Sequence, residues 1–316
     1  MAPIADELGE VRRRCASLVQ GERSPRIKEV LEHTLAVEGK QLRSGLLLLA
    51  SKLGGKGDRD VCINLGVAIE ILHLATLIHD DMVDHSELRR GRRTLNAIWG
   101  EHFALMVGDL LFGTSIELVC AAGSVPIVTL CSRTVRELAH GQLSESVQNA
   151  NIQRTRDDYE HAIYEKTACL FACAGEVGGL ASGADGDTAA RLAAFGRHFG
   201  MAYQIADDIA DYELSPSEVT KSTKNDLKER TMTLPAIVAV ERGAAVAELK
   251  ELFKHNAGAA PVEAVQRAYA AVIASGAVEE ARTVAARHRD EALGSLRGLP
   301  ENAWSTALAN LAEALA

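Results

Sequence analysis

Aromatic residues are scarce: Phe, Trp and Tyr together make up 4% of the 316 residues. A core of this size must then come from Leu, Ile, Val and Ala, a palette that favours helices over strands. Proline is also sparse, with seven in the whole chain, so long stretches carry no helix breaker. Positive charge is in deficit, with 34 Lys and Arg against 43 Asp and Glu, a formal net charge of −9. That balance argues against nucleic acid or an anionic membrane as the main partner. It leaves room for an anionic substrate held by locally placed cations. The cysteines Cys15, Cys62, Cys120, Cys131, Cys169 and Cys173 form no CxxC framework. Cys169 and Cys173 stand one helical turn apart, which would fit half a metal site. Buried thiols in a reducing cytoplasm are the simpler reading. No basic segment followed by an apolar one opens the chain, and no short repeat or long linker is visible.

Long hydrophobic runs are nearly absent too. Val61–Ile78 is long enough to span a membrane, but Asn64, Glu70 and His73 interrupt it. Such a segment reads as the central helix of a bundle, with no membrane span expected. Elsewhere apolar residues recur at helical spacing, as in Ala190, Leu192, Ala193, Phe195 and Phe199. No alternating run bounded by hairpin turns competes with them. The expectation is an all-α protein: a single domain over residues 1–316, a large helical bundle around a central apolar cavity. The Ala-rich C-terminal third reads as chemically quiet, with Glu279, Glu280, Arg282 and Arg287 on solvated helix faces.

Two acidic clusters stand out. The first is Asp80-Asp81-Met82-Val83-Asp84 and the second is Asp207-Asp208-Ile209-Ala210-Asp211. Each is D-D-x-x-D, so its first and last Asp share one helix face about 5–6 Å apart. Three carboxylates so placed repel each other, and Asp is a poor helix former. Stability alone gives no reason to close an apolar helix this way. A divalent cation does: Mg²⁺ takes hard oxygen ligands, typically one or two carboxylates plus substrate phosphates. Cations surround both clusters, with Arg89, Arg90, Arg92 and Arg93 after the first and Lys221, Lys224, Lys228 and Arg230 after the second. Arg forks match phosphate oxygens bidentately, so the combination suits a diphosphate. Upstream, Lys40 and Arg43 at i and i+3 could hold a second anion.

Together these residues resemble the trans-isoprenyl diphosphate synthase (polyprenyl synthetase) family. The likeness runs from about Gly39 to Pro235 and weakly beyond. It includes Lys166-Thr167-Ala168, a Gly108-Asp109-Leu110-Leu111 helix start, and Thr233-Leu234-Pro235. The resemblance implies a prenyltransferase that condenses isopentenyl diphosphate with an allylic diphosphate. It implies three Mg²⁺ ions per site: Asp80 and Asp84 would hold two and Asp207 the third. Asp81, Asp208 and Asp211 would support them through waters. Arg89, Lys166, Thr167, Gln204 and Lys221 would contact the allylic diphosphate. Lys40, Arg43, His73 and Arg90 would grip isopentenyl diphosphate. The implied assembly is a cytoplasmic homodimer. Departures are concentrated in the closing loop. The family's Gly-Lys-Pro-x-Gly-x-Asp reads here Thr220-Lys221-Ser222-Thr223-Lys224-Asn225-Asp226, and a further loop lysine falls on Thr231. Gly-Glu-x-x-Gln reads Gly141-Gln142-Leu143-Ser144-Glu145, with the polar types exchanged.

Product length is argued from helix geometry. Ala75 and Thr76 lie one turn below Asp80, about 5.4 Å down the axis. Both are small, so a growing chain could pass toward Leu72, Phe112 and Ile116, and a long-chain product is expected. Such a product could draw the protein to a membrane. A short-chain synthase making farnesyl or geranylgeranyl diphosphate is the alternative. A terpene cyclase would want aromatic rings to steer cations. A phosphohydrolase on His73, His79 and Asp80 leaves the second cluster unexplained. A non-catalytic subunit would be expected to lose aspartates. His33, His85, His102, His140, His161, His198, His255 and His288 carry no motif and read as surface or core histidines.

Overall fold

Short polar side chains set where the helices begin. Ser24 accepts from the Ile27 amide at 3.4 Å, with Pro25 in the first turn. Asp58 accepts from the amides of Asp60 and Val61 at 2.8 and 3.1 Å. Thr155 and Asp158 form a reciprocal capping box. The computed structural model describes residues 1–36, 39–148, 150–213, 226–255 and 260–315. Its helices are α1 (Ala5–Ser17), α2 (Pro25–Leu35), α3 (Leu42–Gly54), α4 (Arg59–Val83), α5 (Leu95–Trp99), α6 (Glu101–Ala121), α7 (Val125–Gln148), α8 (Arg156–Ile163), α9 (Cys169–Ala181), α10 (Gly186–Ala210), α11 (Leu234–Glu241), α12 (Val246–Leu252), α13 (Val262–Ala274), α14 (Ala277–Ser295) and α15 (Ala303–Glu313). A π-helical turn, Tyr164–Ala168, joins α8 to α9. The all-α expectation holds, with one small difference. A two-stranded hairpin, β1 (Leu88–Arg89) and β2 (Arg92–Arg93), sits in the arginine-rich run. Positive φ at Arg90 (51°) and Gly91 (76°) gives a type I′ turn. Strands of two charged residues leave no alternating pattern to read.

The chain divides into two compact units. The first comprises Met1–Leu138, Leu170–Gly196 and Ser295–Leu311. Here α4 packs against α1, α3 and α6. Leu46 to Ala50 of α3 and Ile63, Val67 and Ile71 of α4 are all at most 1% exposed. Ser115 of α6 donates to the Ala68 carbonyl at 2.8 Å and draws the two helices close. Helices α4 and α6 are long and apolar enough to cross a membrane by composition; 61% of the α4 window is buried inside the protein, against 33% for α6. Leu105, Met106, Leu110 and Ile116 leave an apolar strip of α6 open. Cys131 and Cys173 meet with Sγ atoms 3.9 Å apart, both buried and not joined by a disulfide.

The second unit comprises Ala139–Cys169, Arg197–Gly294 and Ala312–Ala316. Its core joins Tyr159, Ile205, Ile209, Ile237, Leu249 and Val272. The rings of Tyr212 and Tyr269 stack at 5.5 Å. Glu280, expected on a solvated face, instead takes the guanidinium groups of Arg156 and Arg242. It therefore ties α8 and α11 to α14, because Arg156 opens α8 and Arg242 closes α11. Cys169 donates its thiol to the Glu165 carbonyl at 2.9 Å, so it is a helix-bonded thiol; no metal-ready group among the described residues contains a cysteine.

Candidate active site

The first aspartate cluster closes α4. Asp81 is buried, Asp80 half-buried and Asp84 exposed. These acids crowd the negative end of the helix dipole, where carboxylates are disfavoured. Arg89 answers part of that charge: its Nε lies 2.9 and 2.8 Å from the two carboxylate oxygens of Asp81. Arg89, implied as a diphosphate contact, is thus an ion-pair partner of Asp81 in this structure. The loop between α4 and the hairpin is pinned by Asn96, which donates to the carbonyls of Asp81 (3.3 Å) and Ser86 (2.9 Å). A small open pocket lies here, lined by Leu77, Asp81, Arg89, Arg90, Arg92 and Arg93 among others.

The residues implied for isopentenyl diphosphate come together in the same unit. Arg43 in the first turn of α3 donates to His73 Nε2 at 3.1 Å. A guanidinium can only donate, so Nε2 is the acceptor nitrogen and His73 is neutral. Burial pushes the His73 pKa well down, helped by the charges of Arg43, Arg89 and Arg90. The Arg43 guanidinium lies 4.3 Å from the Phe171 ring centroid. Arg90 Nη1 approaches the position a Cβ on Gly39 would occupy, at 3.6 Å, which sets it beside the Gly39-Lys40 backbone.

His79 turns away from Asp80. Its Nε2 is 3.4 Å from the Leu105 carbonyl and 3.7 Å from Asp109 Oδ1, and its ring centroid is 5.3 Å from that of Phe112. Gly108 makes the room, since a Cβ there would lie 2.1 Å from His79 Nε2. The expectation of a helix start at Gly108 is corrected: it lies within α6, where close approach of a ring requires glycine. Of the chain-length residues, Leu72 is buried and Phe112 and Thr76 are half-buried. Ala75 has no exposed surface, while Ile116 is 50% exposed. Thr76 donates its hydroxyl to the His73 carbonyl at 2.7 Å.

The second cluster closes α10. A chain of hydrogen bonds runs from Thr167 to Gln204 Oε1 (2.8 Å) and from Gln204 Nε2 to Asp208 Oδ1 (2.8 Å). The Tyr159 hydroxyl donates to the other Asp208 oxygen at 2.5 Å. Asp208 therefore has direct protein donors on both oxygens and orients the cluster. Burial raises its pKa to about 7 despite those donors, and Asp207 and Asp211 add to the rise. Asp211 is raised by burial and accepts from the Asp226 amide at 3.0 Å. Asp226 is pushed well up by burial and by Asp208, Asp211 and Asp207. Four acids thus converge where the sequence reading counted three. Burial and neighbouring carboxylates both oppose the charged forms of Asp208, Asp211 and Asp226, and exposed Asp207 stands beside them, a donor set that suits a cation.

Lys166 stands in the π-helical turn and bonds Glu145 of α7. Such turns often mark functional positions. A Cβ on Gly141 would lie 2.9 Å from the Lys166 amide, so glycine lets α7 approach the turn. The exchange of polar types at 142 and 145 now has a reading: the acid at 145 meets the lysine, while the buried Gln142 Oε1 has no partner among the described residues. Tyr159, Glu145 and Asp226 were missed as site residues. Asp226 had a sequence signal as an acid in the segment after the second cluster, and Glu145 as the exchanged end of the Gly141–Glu145 motif; Tyr159 had none. Lys221 lies outside the described residues, as do Lys224 and the rest of 214–225. Arg230 instead donates to the His255 carbonyl at 2.7 Å.

Each unit thus carries a carboxylate-rich helix end, and the first adds a cationic set beside α3 and α4. Residues 24–272 match the family model for polyprenyl synthetase. The heptaprenyl diphosphate synthase component 2 of Geobacillus stearothermophilus is 33% identical over 98% of this chain and 95% of its own length. A decaprenyl diphosphate synthase structure from Rhodobacter capsulatus superposes with a TM-score of 0.92 at 33% identity, covering 99% of this chain and 96% of that one. A geranylgeranyl pyrophosphate synthase from Lactobacillus brevis gives 0.90 at 28% identity, covering 99% and 96%. The chain belongs to the polyprenyl synthetase family and is a prenyltransferase.

Proposed function

We propose that the chain joins isopentenyl diphosphate to an allylic diphosphate, head to tail with trans geometry, and releases a polyprenyl diphosphate longer than geranylgeranyl. The observation that carries this reading is the crowding of Asp207, Asp208, Asp211 and Asp226, where burial and neighbouring carboxylates raise the pKa of the last three and a cation would relieve the repulsion. Asp80 and Asp84 would hold two Mg²⁺ ions and Asp207 a third, with Asp81, Asp208 and Asp211 in support. Mg²⁺ held by these aspartates would supply charge neutralisation for a diphosphate leaving group. By the family resemblance, Lys166, Thr167, Gln204, Arg89 and Lys221 would contact that same group, Thr167 only by giving up its bond to Gln204. Engaging substrate requires Arg89 and Lys166 to share or leave Asp81 and Glu145. Arg43, Arg90 and Lys40 grip the second diphosphate, and neutral His73 aims Arg43 by accepting from it. His73 Nε2 is taken by Arg43 and is no base for the proton lost after bond formation; the released diphosphate is the acceptor that the family resemblance implies. Leu72 and Phe112 keep water from the allylic cation.

The long-chain assignment rests on Ala75 and Thr76. The same fold carries relatives named for geranylgeranyl and for decaprenyl products, so side chains below the first cluster must set the length. The open strip on α6 supports a homodimer, and the burial of most of the α4 window marks that helix as part of a protein core. The "component 2" in one relative's name favours a second reading, a chain that works with a partner subunit. Incubating the purified chain with Mg²⁺, isopentenyl diphosphate and primers of different length, followed by product chromatography, tests all of this. Long polyprenyl products support the proposal. Consumption of the allylic substrate alone indicates a cyclase, phosphate release without carbon–carbon bonds a hydrolase, and inactivity a missing partner.

A further inference from the structure

Two histidines without a motif meet in the second unit. His198 lies on α10, and His288 and Glu291 lie on α14. His198 Nδ1 is 3.1 Å from His288 Nδ1 and 2.9 Å from Glu291 Oε2. His288 Nδ1 is 3.6 Å from the same carboxylate oxygen. The rings stack at 5.4 Å with planes 28° apart. Three ligand atoms from three side chains therefore face one point. Two ring nitrogens this close cannot both carry protons, because two N–H groups would meet head on. The gap holds either a single shared proton or a cation.

The spacing of 3.1 and 2.9 Å fits a hydrogen bond, and it also fits a cation. A tetrahedral Zn²⁺ bound at about 2.0–2.2 Å separates its ligand atoms by about 3.3–3.6 Å. The distances of 3.1, 2.9 and 3.6 Å scatter around that edge, each within about half an ångström. Two imidazoles and one carboxylate form a recurrent donor set for Zn²⁺, with water in the fourth position. We propose that His198, His288 and Glu291 bind one Zn²⁺-class divalent cation, a site separate from the aspartate clusters.

The surroundings bear on this from both sides. His288 is 7% exposed, and its Nε2 has no hydrogen-bond partner among the described residues, so Nδ1 is its engaged atom. Burial holds its pKa at about 4 and lowers that of His198, so both ligand nitrogens are neutral near pH 7. Arg197 and Arg287 face the cluster and oppose a cation. Both are also engaged elsewhere, Arg197 over the Tyr164 ring at 4.6 Å and Arg287 at 3.7 Å from Glu160. Glu291 supplies the compensating charge. A second trio, His140, His161 and Glu165, is a weaker candidate: its histidine side chains are 61% and 63% exposed. An ion at His198 would clamp α10 to α14. His198 precedes Asp207 by nine positions on α10, about 13.5 Å along the axis, so the clamp would steady the helix that carries the second aspartate cluster.

The test uses the full chain, stripped of metal by chelator dialysis and held in excess Mg²⁺ so that the aspartates are competed for. Calorimetric titration with Zn²⁺ should show one site per chain, with a raised Tm at one equivalent. Co²⁺ should give the intense visible absorption of four-coordination. His198→Gln and Glu291→Gln should each weaken that site by about tenfold or more while Mg²⁺-supported turnover is retained. His161→Gln should leave it unchanged. The proposal is overturned if no Zn²⁺ binds under excess Mg²⁺, if both variants bind as well as the parent, or if only His161→Gln removes the site.

Discussion

Tyr159→Phe isolates what one hydrogen bond does for the second aspartate cluster. The ring is 1% exposed and its hydroxyl donates to Asp208 at 2.5 Å. Phenylalanine keeps the ring volume, so no cavity opens and only the bond is lost. A hydrogen bond to a charged acceptor is worth about 1.5–3 kcal/mol, and one to a neutral acceptor about 0.5–1.5 kcal/mol. The cost must therefore depend on pH. The pKa of Asp208 is raised from 3.8 to about 7 in the folded chain, so the folded state holds more protons than the unfolded one between those values. Metal-free stability contributed by this group thus falls as pH rises through that window. Removing Tyr159 deletes a donor that lowers the Asp208 pKa, so the window extends upward and the fall is larger. Urea unfolding in chelator at about pH 6 and about pH 9 should give a destabilisation that grows with pH by roughly 1 kcal/mol. Protons also compete with Mg²⁺, so the variant should need more Mg²⁺ at neutral pH, with the gap narrowing at about pH 9. A cost that is absent, or equal at both pH values, would refute the reasoning.

Gly108→Ala should destabilise by about 1–3 kcal/mol and lower turnover, because the new Cβ meets His79 Nε2 at 2.1 Å and forces the residue before Asp80 to move; unfolding and kinetics on one preparation check both. Asp226→Asn should cost less than about 1 kcal/mol without metal, since burial and its neighbours already disfavour the charged form, yet raise the Mg²⁺ needed for half-maximal rate. Thr76→Phe should shorten the product seen by chromatography. Ala75→Phe should shorten it too, but at a cost of about 1–3 kcal/mol in stability, because Ala75 has no exposed surface to accommodate a ring.

Helices were legible because burial imposes a 3.6-residue period, and α4 and α10 show it plainly. The aspartate clusters were legible because i, i+4 spacing is a local fact that needs no tertiary knowledge. Asp226 was passed over because its meaning depends on reaching Asp211 from fifteen positions away. Tyr159 looked like any core aromatic until its hydroxyl was seen to end on a carboxylate. The role of Gly108 is invisible without the His79 ring that fills its missing side chain. Histidines 198 and 288 stand ninety positions apart, and only packing of α10 on α14 pairs them.

The central claim is that both D-D-x-x-D clusters bind the metal that makes diphosphate a leaving group. Its most direct test is the Mg²⁺-dependent rate of condensation for Asp80→Ala and Asp207→Ala, with circular dichroism confirming the fold. The account predicts a loss of about a hundredfold or more in each. A rate close to the parent's in either variant contradicts it.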